Sequence, residues 1–384
     1  MAWVLLAVAL ILAFLNGAND NMKGVATLYG AGVFSRRKAL LLATVSTGLG
    51  SLASIYLAPG LLRAFSAKGL VPQESLTPAF LAAAALAAGG AVLLATRFGF
   101  PVSTTHALLG GLAGAGFVAA GPALNLGALG ATFVLPLLLS PLLAIVLAGG
   151  MYVAGRWTRR RLGIEAATCV CVGKTWVPMS VAPRGVPSSA TFARIGATSG
   201  AVAAPGGTRL AVFVDESAEA CWRRYVGAVA GVSAHRLVTA AHVTSAGVVG
   251  FARALNDTPK ILGLLAGVSF ISPAAGGIAL GAAMAAGGLL ASRRVAETLG
   301  KNVTAMNEGQ GFAGNLATSI LVAGASGLGL PVSTTHVAAG GLFGIGSVTG
   351  DLRWKTAGSI LAAWITTLPL AAALGATGMW VLRR

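Results

Sequence analysis

Pro101-Val102-Ser103-Thr104-Thr105-His106 recurs letter for letter as Pro331-Val332-Ser333-Thr334-Thr335-His336. So long an identity between distant parts of so apolar a chain marks an internal duplication. A second element repeats at a similar offset. Asn19-Asp20-Asn21-Met22-Lys23 and Asn256-Asp257-Thr258-Pro259-Lys260 share the pattern N-D-x-x-K. Each half therefore carries N-D-x-x-K first and PVSTTH later, starting at Asn19 and Pro101 in one and at Asn256 and Pro331 in the other. This pair of pairs is the expected working machinery.

The surrounding chain is lipid-soluble in composition. Hydrophobic residues make up 56% and charged residues 10%, against about 25% charged in a soluble protein. Charge-free stretches at Ala39–Leu62, Val102–Gly155, Ile261–Ser292 and Thr356–Leu382 exceed the ~20 residues a spanning helix needs. They lack strand alternation, and their Ala, Leu and Gly suit packed helices. The net charge of +17 does not point to nucleic acid, because the cations cluster at the ends of apolar runs. Arg36-Arg37-Lys38, Arg156 with Arg159 to Arg161, Arg223-Arg224, Arg293-Arg294 and Arg353 with Lys355 follow the positive-inside pattern. No basic segment precedes the first apolar run, which reads as a retained span rather than a cleaved signal.

The fold class expected is an all-α integral membrane protein of two inverted-topology repeats, each with a broken helix and a re-entrant helical hairpin. Residues 1–155 form the first repeat, 156–226 a cytoplasmic insert and 227–384 the second, inverted repeat. In the first, Ala79–Thr96 enters, PVSTTH forms the tip, and the chain returns to the outer side. In the second, Gly311–Gly329 and Val337–Val348 form a hairpin entered from the cytoplasm. Both termini then lie outside. Between Trp157 and Tyr225 polar residues rise, and Cys169–Val172 and Leu210–Val214 read as short strands. Opposed repeats of this kind are typical of secondary transporters.

Asp20 and Asp257 are the acids expected at membrane depth, where each costs roughly 2.5–3.5 kcal/mol on insertion scales. Lys23 and Lys260 follow three residues later and share a helical face with them. Each Asp–Lys pair is either a self-neutralised ion pair or, beside the helix breakers Gly17, Gly24 and Pro259, part of an ion or substrate site. In PVSTTH, Ser-Thr-Thr offers hydroxyls ahead of a new helix, whose unpaired N–H groups and positive dipole end attract anions. Plain N-capping by Ser or Thr is the alternative. Two copies on opposed hairpins suit a small tetrahedral oxyanion, held by neutral donors that can also release it. His106 and His336 are either proton carriers or packing residues. Ser103 with His106 lacks an acid placed to orient a hydrolase base. Cys169, Cys171 and Cys221 do not make a paired metal framework and read as buried thiols.

Asn16-Gly17-Ala18-Asn19-Asp20, the two PVSTTH motifs and the run Arg294-Val295-Ala296-Glu297-Thr298-Leu299-Gly300-Lys301 resemble the PiT family of inorganic phosphate transporters. The resemblance covers about 1–155 and 227–384. It implies phosphate symport with sodium or protons through two inverted repeats. Carried over, it implies phosphate at Ser103, Thr104, Thr105, Ser333, Thr334 and Thr335, with Asn19, Asp20, Asn256 and Asp257 at the substrate and ion sites. The usual G-A-N-D-V-A-N continuation is replaced by Asn21-Met22-Lys23, and the second copy reads Asn256-Asp257-Thr258-Pro259-Lys260. A family position that is often acidic is Asn315. An ammonium three residues from each Asp can take the place of sodium.

The expected function is an importer of inorganic phosphate in the inner (plasma) membrane, working by ion-coupled alternating access. Asp20, Asp257, Lys23 and Lys260 are the coupling residues. The coupling ion is a proton or sodium, the latter at Asp20 and Asp257, with protons favoured because the lysines offset both carboxylates. No cofactor, other metal, enzymatic activity or nucleic-acid partner is expected; the partners are phosphate, the lipid bilayer and, in one arrangement, a second copy in a homodimer. The alternatives are a permease for another oxyanion such as sulfate, a passive anion channel, and an intramembrane serine hydrolase.

Overall fold

In lipid each backbone N–H and C=O must find its partner inside the segment, so long apolar runs fold as helices. The computed structural model describes residues 1–172, 175–179, 201–203, 209–211, 224–266 and 270–383, with side chains described outside 165–224 and residue 226. Among the described residues, eight helices are long and apolar enough to cross a membrane.

The first half comprises α1 (Ala2–Asp20), α2 (Ala26–Gly30), α3 (Arg36–Leu57), α4 (Pro59–Ala64), α5 (Pro78–Arg97), α6 (Thr104–Ala120), α7 (Leu126–Leu129) and α8 (Leu135–Arg161). The second comprises α9 (Ala234–Leu264), α10 (Pro273–Ala291), α11 (Arg293–Glu297), α12 (Glu308–Gly327), α13 (Thr334–Thr349) and α14 (Trp354–Leu382). PVSTTH lies at the bend between α5 and α6, and again between α12 and α13. Gly99 and Gly329 turn the chain into those bends at φ 76° and 70°, where an L side chain would be strained.

The halves make matching contacts. α1 packs on α10 and α5, and α9 packs on α3 and α12. The closing helices are exchanged: α14 lies along the α5–α6 hairpin, and α8 along α12–α13. At the α3–α9 crossing, a Cβ on Gly50 would overlap the Phe251 carbonyl; at the α1–α10 crossing, one on Gly287 would overlap the Phe14 carbonyl. The two glycines are separated by the same offset as the two N-D-x-x-K motifs, and so are the two phenylalanines. Small residues let the backbones approach to van der Waals contact, which is the main attraction between helices in lipid.

One end of the bundle is basic and knitted by loop contacts. Arg294 donates to the Arg97 carbonyl, Arg353 Nη1 to the Lys301 carbonyl at 2.8 Å, and Tyr225 to Asn307 Oδ1 at 3.1 Å. At the other end Arg383 Nη2 donates to the Ala119 carbonyl at 2.8 Å, and Trp3 stacks on Phe270 with centroids 4.0 Å apart.

One expectation changes. Of the broken helix expected in each half, only the first half has one: α1 ends at Asp20 and residues 21–25 are turns. In the second, α9 runs unbroken through Asn256–Lys260 with Pro259 inside it. Pro259 removes one i→i−4 bond, but the buried helix around it keeps the remaining ladder intact. The helix before the insert, α8, runs to Arg161. The insert contains β1 (Glu165–Val172), β2 (Thr175–Met179) and β5 (Arg224–Val226) in an antiparallel sheet of order β2-β1-β5, besides a β3 (Ala201–Ala203) and β4 (Arg209–Ala211) pair. β6 (Ala228–Val229) and β7 (Val232–Ser233) form a hairpin leading into α9. The strand expected at Leu210–Val214 overlaps β4, and its remainder lies outside the described residues, as do the three cysteine side chains.

Candidate functional site

α6 and α13 both begin in the interior, each at a bend, and their first turns meet. Ser103 caps α6 by accepting the His106 N–H at 3.1 Å, and Ser333 caps α13 by accepting the His336 N–H at 3.2 Å. A cap uses the hydroxyl oxygen as acceptor and leaves its O–H available as a donor. The next threonines cross the seam. Thr105 Oγ1 donates to the Val332 carbonyl at 3.3 Å, and Thr335 Oγ1 donates to the Val102 carbonyl at 2.6 Å. Each tip thus bonds the backbone of the other.

Two ammonium groups sit on that seam. Lys23 donates to Asp20 Oδ1, to Thr335 Oγ1 and to the Val102 carbonyl, the last at 3.2 Å. Lys260 donates to Thr105 Oγ1 and to the Val332 carbonyl, both at 2.7 Å, and also to Asn256 Oδ1. Asp257 Oδ1 is 3.4 Å from it. Each lysine therefore touches a carboxylate of its own arm, a carbonyl of its own hairpin and a hydroxyl of the opposite one. All of these partners are oxygens, the donor set that hard cations take.

The carboxylates face one another across Asn16. Its Nδ2 lies 3.0 Å from Asp20 Oδ2, 3.0 Å from Thr104 Oγ1 and 3.3 Å from Asp257 Oδ2. Thr104 Oγ1 lies 3.4 Å from Asp20 Oδ2, whereas Thr334 makes no side-chain hydrogen bond among the described residues. Arg253 completes the cluster. Its guanidinium donates to Asn16 Oδ1 at 3.1 Å, Asn21 Oδ1 at 3.4 Å and Thr47 Oγ1 at 2.6 Å, and lies 3.8 Å from Asp257 Oδ2. Three cations and two carboxylates are buried together. Partnering of this kind is what makes charges tolerable in a low-dielectric interior.

Asn19 and Asn256 act as straps. Asn19 Nδ2 donates to Thr96 Oγ1 and to the Phe100 carbonyl, both at 2.9 Å, and its Oδ1 accepts the Val102 N–H at 3.1 Å. Asn256 Nδ2 donates to Ser326 Oγ at 2.9 Å while its Oδ1 accepts from Lys260. Thr96 and Ser326 are separated by the same offset as the two PVSTTH copies. The resemblance implies that both asparagines meet substrate; in this conformation they tie the N-D-x-x-K arm to its own hairpin. Beyond Lys23 a narrow cavity is lined by Thr27, Asn315 and Thr318. His242 is buried here, with Nε2 3.0 Å from Thr27 Oγ1.

Asn16 and Arg253 escaped the motif reading. Repeats are found by identity, and here an amide in one copy stands beside a guanidinium from the other. The available signal was a lone arginine deep in an apolar helix, three residues before Asn256.

Residues 16–375 match the family model described as the phosphate transporter family. The chain belongs to the phosphate transporter family. The relatives of this transporter include the probable low-affinity inorganic phosphate transporter of Rhizobium meliloti, 27% identical over 97% of this chain and 93% of that protein. Inorganic phosphate transporter 2-1, chloroplastic, of Arabidopsis thaliana is 27% identical over 96% of this chain and 70% of that one. A solved structure titled the sodium-dependent phosphate transporter shares the fold, with a TM-score of 0.71, 22% identity, and coverage of 100% of this chain and 98% of that one. The transporter is thus a multi-pass membrane protein of a family whose members move a solute rather than convert one.

Proposed function

We propose that the chain imports inorganic phosphate by alternating access, with the two PVSTTH tips clamping the anion between two inverted repeats. The observation that carries this reading is the reciprocal seam, Thr105 to the Val332 carbonyl and Thr335 to the Val102 carbonyl. A tetrahedral oxyanion entering there takes the hydroxyls of Thr104, Thr105, Thr334 and Thr335, the free O–H groups of Ser103 and Ser333, and the helix N-termini behind them. Its entry breaks the reciprocal bonds, so binding and parting of the tips are one event. The matched crossings of α1 with α10 and α9 with α3, and the exchanged helices α8 and α14, support the inverted arrangement. The positive-inside rule then places the basic end and the 156–226 insert in the cytoplasm and both termini outside.

Lys23 and Lys260 stand in for coupling cations, each already holding the oxygen set that a sodium ion would need. Sodium is therefore dispensable and protons drive uptake. The test is labelled phosphate uptake by the full chain in proteoliposomes under imposed gradients. An inward proton gradient is expected to concentrate phosphate, a sodium gradient to add nothing, and arsenate to compete where sulfate does not. Lys23→Ala with Lys260→Ala is expected to create a sodium requirement. Uptake driven by sodium in the unmodified chain would overturn the tethered-cation reading. Equal competition by sulfate would make the protein a general oxyanion permease, and uptake indifferent to every gradient would make it a channel.

A further inference from the structure

The histidines that close the two motifs meet each other. The His106 and His336 rings are 4.5 Å apart at 45°, one on each hairpin, directly behind Thr105 and Thr335. The indole of Trp364 on α14 covers His336 with centroids 3.9 Å apart, and its own N–H is turned away to the Pro101 carbonyl at 3.1 Å. His336 is 4% exposed. Among the described residues, neither of its ring nitrogens makes a hydrogen bond of standard geometry, nor does His106 Nδ1; the α8 backbone at Leu137 is the one main-chain group that the His336 ring approaches. Buried polar nitrogens are nearly always bonded, so orphans at symmetric positions call for a reason. A structural pair would be anchored by good bonds to the surrounding helices. This pair is held chiefly by ring contacts.

We propose that His106 and His336 form one shared proton-binding site, loaded when the hairpins part and unloaded when they close. The inference rests on the phosphate-transport reading above and names the group that carries its proton. With the tips closed, two charged rings in contact would repel, and the cations of the seam add to that. Lys260 on α9 holds Thr105, one residue before His106, and Lys23, just after α1, holds Thr335, one residue before His336. Arg253 on α9 and the carboxylates Asp20 and Asp257 complete the charged groups of the neighbouring helices, while α14 presents Trp364. An anion arriving between the threonines brings negative charge one residue from each ring and separates the two. One imidazole then binds a proton from the open side through a nitrogen lone pair, and gives it up on the other side when phosphate leaves and the rings close again.

The test uses the reconstituted full chain with a pH-sensitive dye inside the vesicles, following net uptake and phosphate–phosphate exchange separately. The unmodified chain is expected to accumulate phosphate at least tenfold under a proton gradient, with acidification of the lumen. The double variant His106→Gln, His336→Gln is expected to keep exchange within about twofold while accumulation and acidification vanish. Concentrative, acidifying uptake by the double variant would overturn the proposal. Absence of exchange in the unmodified chain would instead sink the phosphate reading. Should the double variant fail to fold, His106→Gln alone decides: without the repelling ring, the pH midpoint of uptake moves up by half a unit or more. An unmoved midpoint rejects the shared site.

Discussion

The two N-D-x-x-K arms reach the same end by different backbones. In the first, α1 stops at Asp20, the chain unwinds over 21–25, and Lys23 comes off a turn. In the second, α9 continues to Leu264, and Lys260 comes off helix with Pro259 beside it. Both ammonium groups nevertheless meet a carboxylate, a valine carbonyl and a threonine hydroxyl. A four-carbon flexible stem absorbs the difference in backbone, which a shorter ligand would not. The arms differ more in charge. Among the described residues Asp20 has one ion-pair partner, Lys23, whereas Asp257 has two, Lys260 and Arg253.

That asymmetry sets the largest expected effect. Lys23→Met strips Asp20 of its only ion pair and should cost about 3–5 kcal/mol, the usual result of orphaning a buried charge. Lys260→Met leaves Asp257 beside Arg253 and should cost clearly less. Adding Asp20→Asn to Lys23→Met should recover most of the loss, because the neutral amide still suits Asn16 and Thr104. Unfolding midpoints in detergent compare the three. Equal losses for the two lysines would mean that Arg253 does not compensate Asp257.

The helix crossings should be as alike as the arms are unlike. Gly50→Ala and Gly287→Ala each drive a methyl into a carbonyl of the facing helix, Phe251 in one case and Phe14 in the other. Overpacking of this kind costs typically about 1–3 kcal/mol, and the two variants should lose stability to a similar extent. A large difference in melting would show that the likeness of the halves is confined to the hairpin tips.

What could be read from the chain beforehand follows the same division. The hairpin bends, the four charged residues Asp20, Lys23, Asp257 and Lys260, and the positions of the spanning runs were legible because letters or periodicity repeat. α12 and α13 are not among the helices long and apolar enough to cross a membrane, and were legible through the repeated PVSTTH at their bend. Arg253 was hidden because nothing in the first half matches it by type. The straps of Asn19 and Asn256 were hidden because a motif states which residues recur and not which way their amides face. The helix through Pro259 was misjudged because proline breaks helices in water, whereas buried helices tolerate it.

The smallest effect is expected where the hairpins begin. Thr77 and Asn307 cap α5 and α12 at positions separated by the PVSTTH offset. Thr77 accepts the Phe80 N–H at 3.2 Å. Asn307 forms a fuller capping box, with Gln310 N–H to its Oδ1 at 3.0 Å and its own N–H to Gln310 Oε1 at 2.6 Å. Only the second cap is braced from the insert, by the Tyr225 hydroxyl. Thr77→Ala and Asn307→Ala should each cost about 1 kcal/mol, and Tyr225→Phe about 0.5–1.5 kcal/mol for one hydrogen bond. Burial of the Tyr225 phenol, chiefly, and then the neighbouring Tyr152 push its pKa up to about 12. The folded phenol therefore holds its proton where the unfolded one, near about 10, has lost it. This contribution is complete below about pH 10 and falls away as pH rises towards 12. Tyr225→Phe should flatten that alkaline decline in thermal stability while Thr77→Ala leaves its slope unchanged. An unaltered slope in Tyr225→Phe would show that burial does not raise the Tyr225 pKa in the folded chain.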